Sequence, residues 1–292
     1  MYDFYNTARP YGHQGAVAAV AVEPVRVKRR HGLGNVVCLL PVLDKLAAQG
    51  RQIEVITNEK WVGVFRILRP DYLWFAEAEN QELINLDEMT EIRRPAEHRS
   101  EELGRLLDVD GPFAAPKIII PQSWQKPFAR YRDGIIFAPE GGHPSRNWPT
   151  DKAVRLGERL KGSKLILAGL EQQEKIPCVF DTRGKLELHE LLGMLAVAKM
   201  VITMDSGILH LAAALGKPTL AIFGGIDPAF RIHPRQPVVA LQTDLPCCPC
   251  NKNETCAGQF TCIKQIKVPQ VINTLEMAQT APGRIIRRVG AD

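Results

Sequence analysis

The residues best placed to do chemistry lie between 200 and 218. An apolar strand candidate, Met200-Val-Ile-Thr203, runs into Asp205-Ser206-Gly207, and a helix candidate over 208–215 then carries His210 and stops at Gly216. A helix that starts directly after a buried strand leaves its first backbone N–H groups without intrahelical partners, and its dipole adds partial positive charge there. Such a terminus holds phosphate without needing a lysine. Gly207 lets a phosphate come close to the backbone. Asp205 or Ser206 supplies a cap in either case, so a plain helix start with a structural His210 is the competing reading.

Two glycine-rich loops add candidates. Pro139-Glu-Gly141-Gly142-His-Pro-Ser-Arg146 follows a strand candidate and ends in a guanidinium suited to bidentate phosphate contact. His31-Gly32-Leu-Gly34-Asn35 follows another, but Val37 stands where a dinucleotide fingerprint needs its third glycine, which argues against a nicotinamide enzyme. Asp108-Val-Asp110 reads as a polar turn ahead of Gly111-Pro112 rather than a metal site. Of seven cysteines, Cys38 and Cys178 stand apart, whereas Cys247, Cys248, Cys250, Cys256 and Cys262 cluster. Cys247, Cys250, Cys256 and Cys262 make a candidate structural Zn or Fe site, with Cys248 a spectator. The spacing of the second half is loose, so free thiols or a disulfide are the alternatives.

The elements that must carry these loops alternate strand and helix. Strands are expected at 25–28, 52–57, 73–75, 83–86, 117–120, 135–138, 164–168, 200–203 and 219–223, and helices at 36–48, 97–107, 150–160 with Thr150 as cap, 187–198 and 208–215. Near-continuous apolar strands between helices predict parallel sheets covered on both faces. The fold class is therefore α/β, with two doubly wound Rossmann-like units and the ligand cleft between them. Expected boundaries are an N-terminal extension over 1–24, a first Rossmann-like domain over 25–125, a Pro-, Gln- and Arg-containing linker, a second Rossmann-like domain over 134–282 and a tail over 283–292. The composition, 45% hydrophobic and 24% charged over 292 residues, excludes a disordered or fibrous chain. No run is long enough to span a bilayer. A net charge of +5 is too small to name nucleic acid as partner and suits an anionic ligand or loose association with an anionic membrane surface. The odd cysteine count favours a cytoplasmic location over a secreted one, and the apolar run 15–22 reads as part of the extension rather than a signal peptide.

The segment from Thr203 to Pro218 resembles the signature of glycosyltransferase family 9, the lipopolysaccharide heptosyltransferases. The same order of motifs continues in Ala138–Pro149, in Leu167-Ala-Gly-Leu-Glu171, in Gly184-Lys-Leu-Glu-Leu-His-Glu-Leu191, in Ala221-Ile-Phe-Gly-Gly and in Cys247-Cys-Pro-Cys250 with Cys262-Ile-Lys-Gln-Ile266. The similarity covers about residues 134–282 and, more loosely, 25–57. It implies a GT-B fold and inverting sugar transfer from a nucleotide donor, ADP-heptose being the commonest. The implied acceptor is a lipid A inner core or another glycan, lipid-linked or protein hydroxyl, with peripheral membrane association left open. It also implies roles: Asp205, Ser206, Gly207 and His210 at the diphosphate, with Gly141 and Gly142 beside them. Arg146 stands where the family has a lysine, and Glu171 would reach the ribose. Transfer itself would need no cofactor.

One departure from the family pattern bears on the chemistry. The family's proposed base is an aspartate in the first glycine loop, and this chain has Asn35. An amide cannot accept the proton of a sugar hydroxyl. Either another carboxylate or His31, the best substitute within the loop, then serves as base, or transfer relies on positioning and leaving-group stabilisation alone. The alternatives are a nucleotide-sugar-binding protein without transfer activity, or another GT-B enzyme such as a nucleotide-sugar epimerase.

Overall fold

The computed structural model describes residues 23–77, 83–89, 94, 96–170, 175–251, 256 and 259–290. Nearly all of the expected N-terminal extension, with the run 15–22, and also Glu171 lie outside the described residues. The described residues form two sheets in which every pairing is parallel.

The first sheet holds β1 (Val25–Lys28), β2 (Ile53–Ile56), β3 (Leu73–Phe75) and β4 (Ile84–Asn85) in the order β3-β2-β1-β4. Its helices are α1 (Leu33–Ala48), α2 (Glu59–Leu68) and α3 (Arg99–Leu106). Val36, Val37, Leu39, Leu40 and Leu43 of α1 are fully buried. At ~1.5–3 kcal/mol each, that burial outweighs the poor helix propensity of the valines and the internal Pro41. α2 is absent from the elements expected above. Its β-branched and aromatic residues mask a helical face of Val62, Phe65 and Leu68, and Asn58 caps it by accepting from the Lys60 N–H.

Residues 117–120, expected as a strand, join no ladder. Flanking Pro116 and Pro121 restrict the segment, and Ile118 reaches the second unit by donating its N–H to the Ala214 carbonyl. The expected linker is helical instead: α4 (Gln122–Gln125) and a 3-10 turn, Lys126–Tyr131, pack on the helix over 188–197.

The second sheet holds β5 (Ile135–Ala138), β6 (Leu165–Leu167), β7 (Phe180–Asp181), β8 (Met200–Met204), β9 (Thr219–Phe223), β10 (Val238–Thr243) and β11 (Ile285–Val289). The order is β11-β10-β9-β8-β5-β6-β7. Residues 285–289, within the expected tail, are thus an edge strand. The helices α5 (Thr150–Arg159), α6 (Leu188–Val197), α7 (Gly207–Ala214) and α8 (Pro228–Arg231) connect these strands, with further short helices before β11. Thr150 is the first helical residue of α5 rather than its cap; Pro149 takes the cap position and offers no side-chain bond. Strand order reverses between β5 and β8, and in the first sheet between β1 and β4. These are the points where open α/β sheets leave a crevice at the carboxyl ends of their strands.

Alternation along each strand sorts the second sheet's residues between two cores. Ile136, Ala138 and Val201 share a core with the first sheet, whereas Ile135, Phe137, Met200 and Ile202 face the opposite side. The shared core is bridged by α1 packing on α7. This makes the architecture GT-B, with the two units in direct contact beside the cleft.

Candidate active site

The loops after β5 and β8 meet at the second sheet's switch point. Ser206 is the N-cap residue of α7 and makes no capping bond with its side chain, which pairs instead with the Thr203 hydroxyl at 3.1 Å. The first N–H groups of α7 are thereby left for a ligand. Asp205 is 3% exposed and lies between two guanidiniums. Arg146 Nε is 3.6 Å from its Oδ2, and Arg231 Nε is 3.5 Å from its Oδ1. None of these contacts is a hydrogen bond, and Arg146 Nε, Asp205 Oδ2 and Arg231 Nε are buried without a hydrogen-bond partner. Two cations share one carboxylate, so the turn carries net positive charge where a diphosphate would dock.

Arg231, a member of this charge cluster, is one that sequence reasoning missed. It lies 26 residues beyond Asp205, at the end of a one-turn helix capped by Asp227, which accepts from the Ala229 N–H at 2.9 Å. The pairing of β8 with β9 brings it back.

A cavity of about 700 Å³ opens beside this turn, lined by Gly141, Gly142, Ser206 and Gly207. Thr182 and Gly184 form a further wall, and Lys60 and Trp61 of α2 reach it from the first unit. The two glycines have different reasons. A Cβ on Gly141 would run into the Arg146 side chain, while Gly142 has φ 73 with open space around it. The Gly141 N–H donates to Asn147 Oδ1 at 2.8 Å, which closes the loop and sets Arg146 toward Asp205.

His210 lies behind the turn, 8% exposed, with its Nδ1 3.5 Å from Cys38 Sγ on α1. A Cβ on Gly34 would strike its ring, so the first glycine loop touches α7 only because residue 34 has no side chain. Leu33 completes the contact, 3.6 Å from where a Cβ on Gly207 would lie. Burial holds His210 down to about 4, and Arg231 pushes the same way. Burial also lowers His98 and His233. His210 is therefore neutral at pH 7 and packs in the interior rather than offering charge to a phosphate. Burial pushes the Cys38 thiol up to about 12, which leaves it unreactive.

The depressed histidines fix the sign of a pH effect. Between about 6.5 and 4 the unfolded chain binds protons that the folded chain refuses, so stability is full above about 6.5 and falls as pH drops toward 4. From pH 7 to pH 5, His210 alone is expected to remove about 2 kcal/mol. Urea unfolding at the two pH values tests this, and a flat response, or the same slope in His210→Gln, refutes it.

Asn35 is partly exposed, and its Nδ2 donates to the His31 carbonyl at 3.4 Å. His31 itself is 86% exposed. The described residues do not bring the four expected cysteines together as a metal site. Cys247 and Cys256 are exposed, and among the described residues no group of three or more Cys, His, Asp or Glu is arranged to hold a metal. The supposed spectator Cys248 is instead the thiol set beside Cys262, and their mutual interaction raises Cys248 and lowers Cys262. Cys248 also donates to the Gly224 carbonyl at 3.4 Å.

Residues 122–260 match the family model described as glycosyltransferase family 9 (heptosyltransferase), a span that contains the Arg146 loop, Asp205–Gly207 and Arg231. The chain is glycosyltransferase family 9-like. Over 104 residues it is 38% identical to lipopolysaccharide heptosyltransferase 1 of Pseudomonas aeruginosa, a match covering 36% of this chain and 27% of that protein. The chain thus aligns with about a quarter of the length of that curated relative. The solved family 9 glycosyltransferase of Veillonella parvula superposes with a TM-score of 0.68 at 17% identity, covering 88% of this chain and 97% of that one. The iron-containing dodecameric heptosyltransferase TibC from enterotoxigenic E. coli, in complex with ADP-D-beta-D-heptose, gives 0.66 at 15%, covering 88% and 77%. Both likenesses establish the fold. No helix among the described residues of this family 9-like chain is long and apolar enough to cross a membrane.

Proposed function

We propose that the chain is an inverting glycosyltransferase moving a heptose from ADP-heptose to a hydroxyl of a glycan, lipid-linked or protein acceptor. The observation that carries this reading is the positively charged turn at the start of α7, where Arg146 and Arg231 share Asp205 next to Ser206 and Gly207, which line the adjoining cavity. The diphosphate binds the free N–H groups of Ser206 and Gly207, and Arg146 takes up charge that builds on the leaving group. Thr182, Gly184 and Glu171 serve the nucleoside end. With the helix terminus and two guanidiniums in place, stabilising the leaving group does not call on a metal. The free thiols suit a reducing, cytoplasmic compartment, and docking at the inner membrane face would bring a lipid-linked acceptor within reach.

The acceptor approaches from the first sheet, where the loop 31–35 abuts α7. Its hydroxyl attacks the anomeric carbon opposite the diphosphate, and the bond to the diphosphate oxygen breaks with its electron pair leaving on ADP. Asn35 favours a second reading, a nucleotide-sugar binder that has lost its base.

Calorimetric titration with ADP, UDP and GDP, followed by turnover of ADP-heptose, separates the two. The expected result is preferential ADP binding and measurable turnover. ADP binding without turnover supports the binder, and no nucleotide binding refutes both.

A further inference from the structure

We propose that His31 and Asp87 form a dyad at the first sheet's switch point, in which His31 takes the acceptor proton and Asp87 positions its ring. The proposal rests on the transfer reading above and supplies the base that Asn35 cannot be.

The topology brings the two residues together. β1 and β4 are neighbours in the sheet, with Lys28 paired to Asn85. His31 follows the carboxyl end of β1, and Asp87 follows that of β4, so residues 56 positions apart in sequence come into contact. This is the crevice position at which such sheets present functional side chains.

Asp87 is held from several directions. Its Oδ2 accepts the Arg30 N–H at 2.8 Å and its Oδ1 accepts the His31 N–H at 3.3 Å. Arg29 lies 3.6 Å from Oδ1, and the Asp87 N–H donates to Asn85 Oδ1 at 3.2 Å. The carboxylate side chain is 9% exposed and so has little freedom to move. Its Oδ2 is 3.5 Å from His31 Nδ1, while the imidazole is 86% exposed. A buried, anchored carboxylate thus faces one nitrogen of a ring that is otherwise open.

That asymmetry suits general base catalysis. A carboxylate at Nδ1 favours the tautomer with its proton on Nδ1, which leaves the Nε2 lone pair for substrate. In the step, Nε2 takes the proton of the attacking hydroxyl, a C–O bond forms at the anomeric carbon, and the bond to the diphosphate oxygen breaks with its electrons on ADP. The imidazolium formed is stabilised by Asp87. Asn35 has a part in this arrangement: by donating to the His31 carbonyl it braces the loop. The same loop reaches the diphosphate turn through Leu33, beside Gly207.

The test measures hydrolysis of ADP-heptose, with water as acceptor, together with ADP affinity, for wild type, His31→Ala, Asp87→Asn and the double variant. His31→Ala is expected to lower kcat about 100-fold with ADP affinity unchanged, and added imidazole to restore part of the rate. Asp87→Asn is expected to lower kcat about tenfold, and to have no further effect once His31 is absent, because it acts only through the ring. His31 is exposed, so its removal leaves the fold intact. Equal rates for wild type and His31→Ala overturn the dyad whatever the ADP affinity. An Asp87→Asn loss that persists in the His31→Ala background overturns the positioning role and makes Asp87 a loop latch. Failure of wild type to bind ADP overturns the transfer reading itself, which keeps the two failures apart.

Discussion

Asp205→Ala is expected to destabilise the chain by about 3–5 kcal/mol, the range for removing one partner of a buried ion pair. The cost comes from what remains. Arg231, with 8% of its side chain exposed, would face Arg146 with no carboxylate between them, and its Nε already lacks a hydrogen-bond partner. The contacts of 3.5 and 3.6 Å are Coulombic rather than hydrogen-bonded, so Asp205→Asn, which keeps the shape and removes the charge, is expected to cost nearly as much. Urea unfolding with an unchanged m-value measures it. A loss under about 1 kcal/mol would show that another group neutralises Arg231. Under the transfer reading a diphosphate brings negative charge to the same place, so saturating ADP is expected to recover part of the lost stability by linkage.

Arg146→Ala is expected to behave in the opposite way. Its side chain is 24% exposed and Arg231 still pairs with Asp205, so stability changes little. Under the transfer reading, kcat for ADP-heptose falls about 10²–10³-fold, the usual effect of removing one donor to developing charge. ADP affinity falls less, because the α7 N–H groups hold the ground-state diphosphate. Arg146→Lys is expected to recover most of the rate, since a point charge at this position matches the lysine of the resembled family. A rate for Arg146→Ala within about threefold of wild type would remove Arg146 from the leaving-group site.

Much of the frame is legible in the linear chain. β1, β5 and β9 run over the residues expected for them, and α1, α6 and α7 differ only at their ends. These elements are uniformly apolar or strictly periodic and are bounded by glycine or proline, so local signals agree with tertiary demand. The turn between β8 and α7 is legible for the same reason: strand, Asp-Ser-Gly and helix are contiguous. Local pattern fails where packing outvotes it. α2 carries strand-favouring residues but buries a helical face, and the apolar segment 117–120 finds no neighbouring strand to pair with.

The α/β alternation, the family resemblance and the contiguous Asp205–Gly207 turn each depend on neighbours along the chain, and linear order is enough to specify them. Which distant groups meet is settled by the fold. Arg231 joins Arg146 at Asp205 because β9 lies beside β8, and Asp87 reaches His31 because β4 lies beside β1. Cys248, rather than its three neighbours in the cluster, meets Cys262. Gly34 is needed because α1 packs on His210. Spacing along a chain carries no record of such contacts, since they are set by strand order and by which helix faces bury against each other.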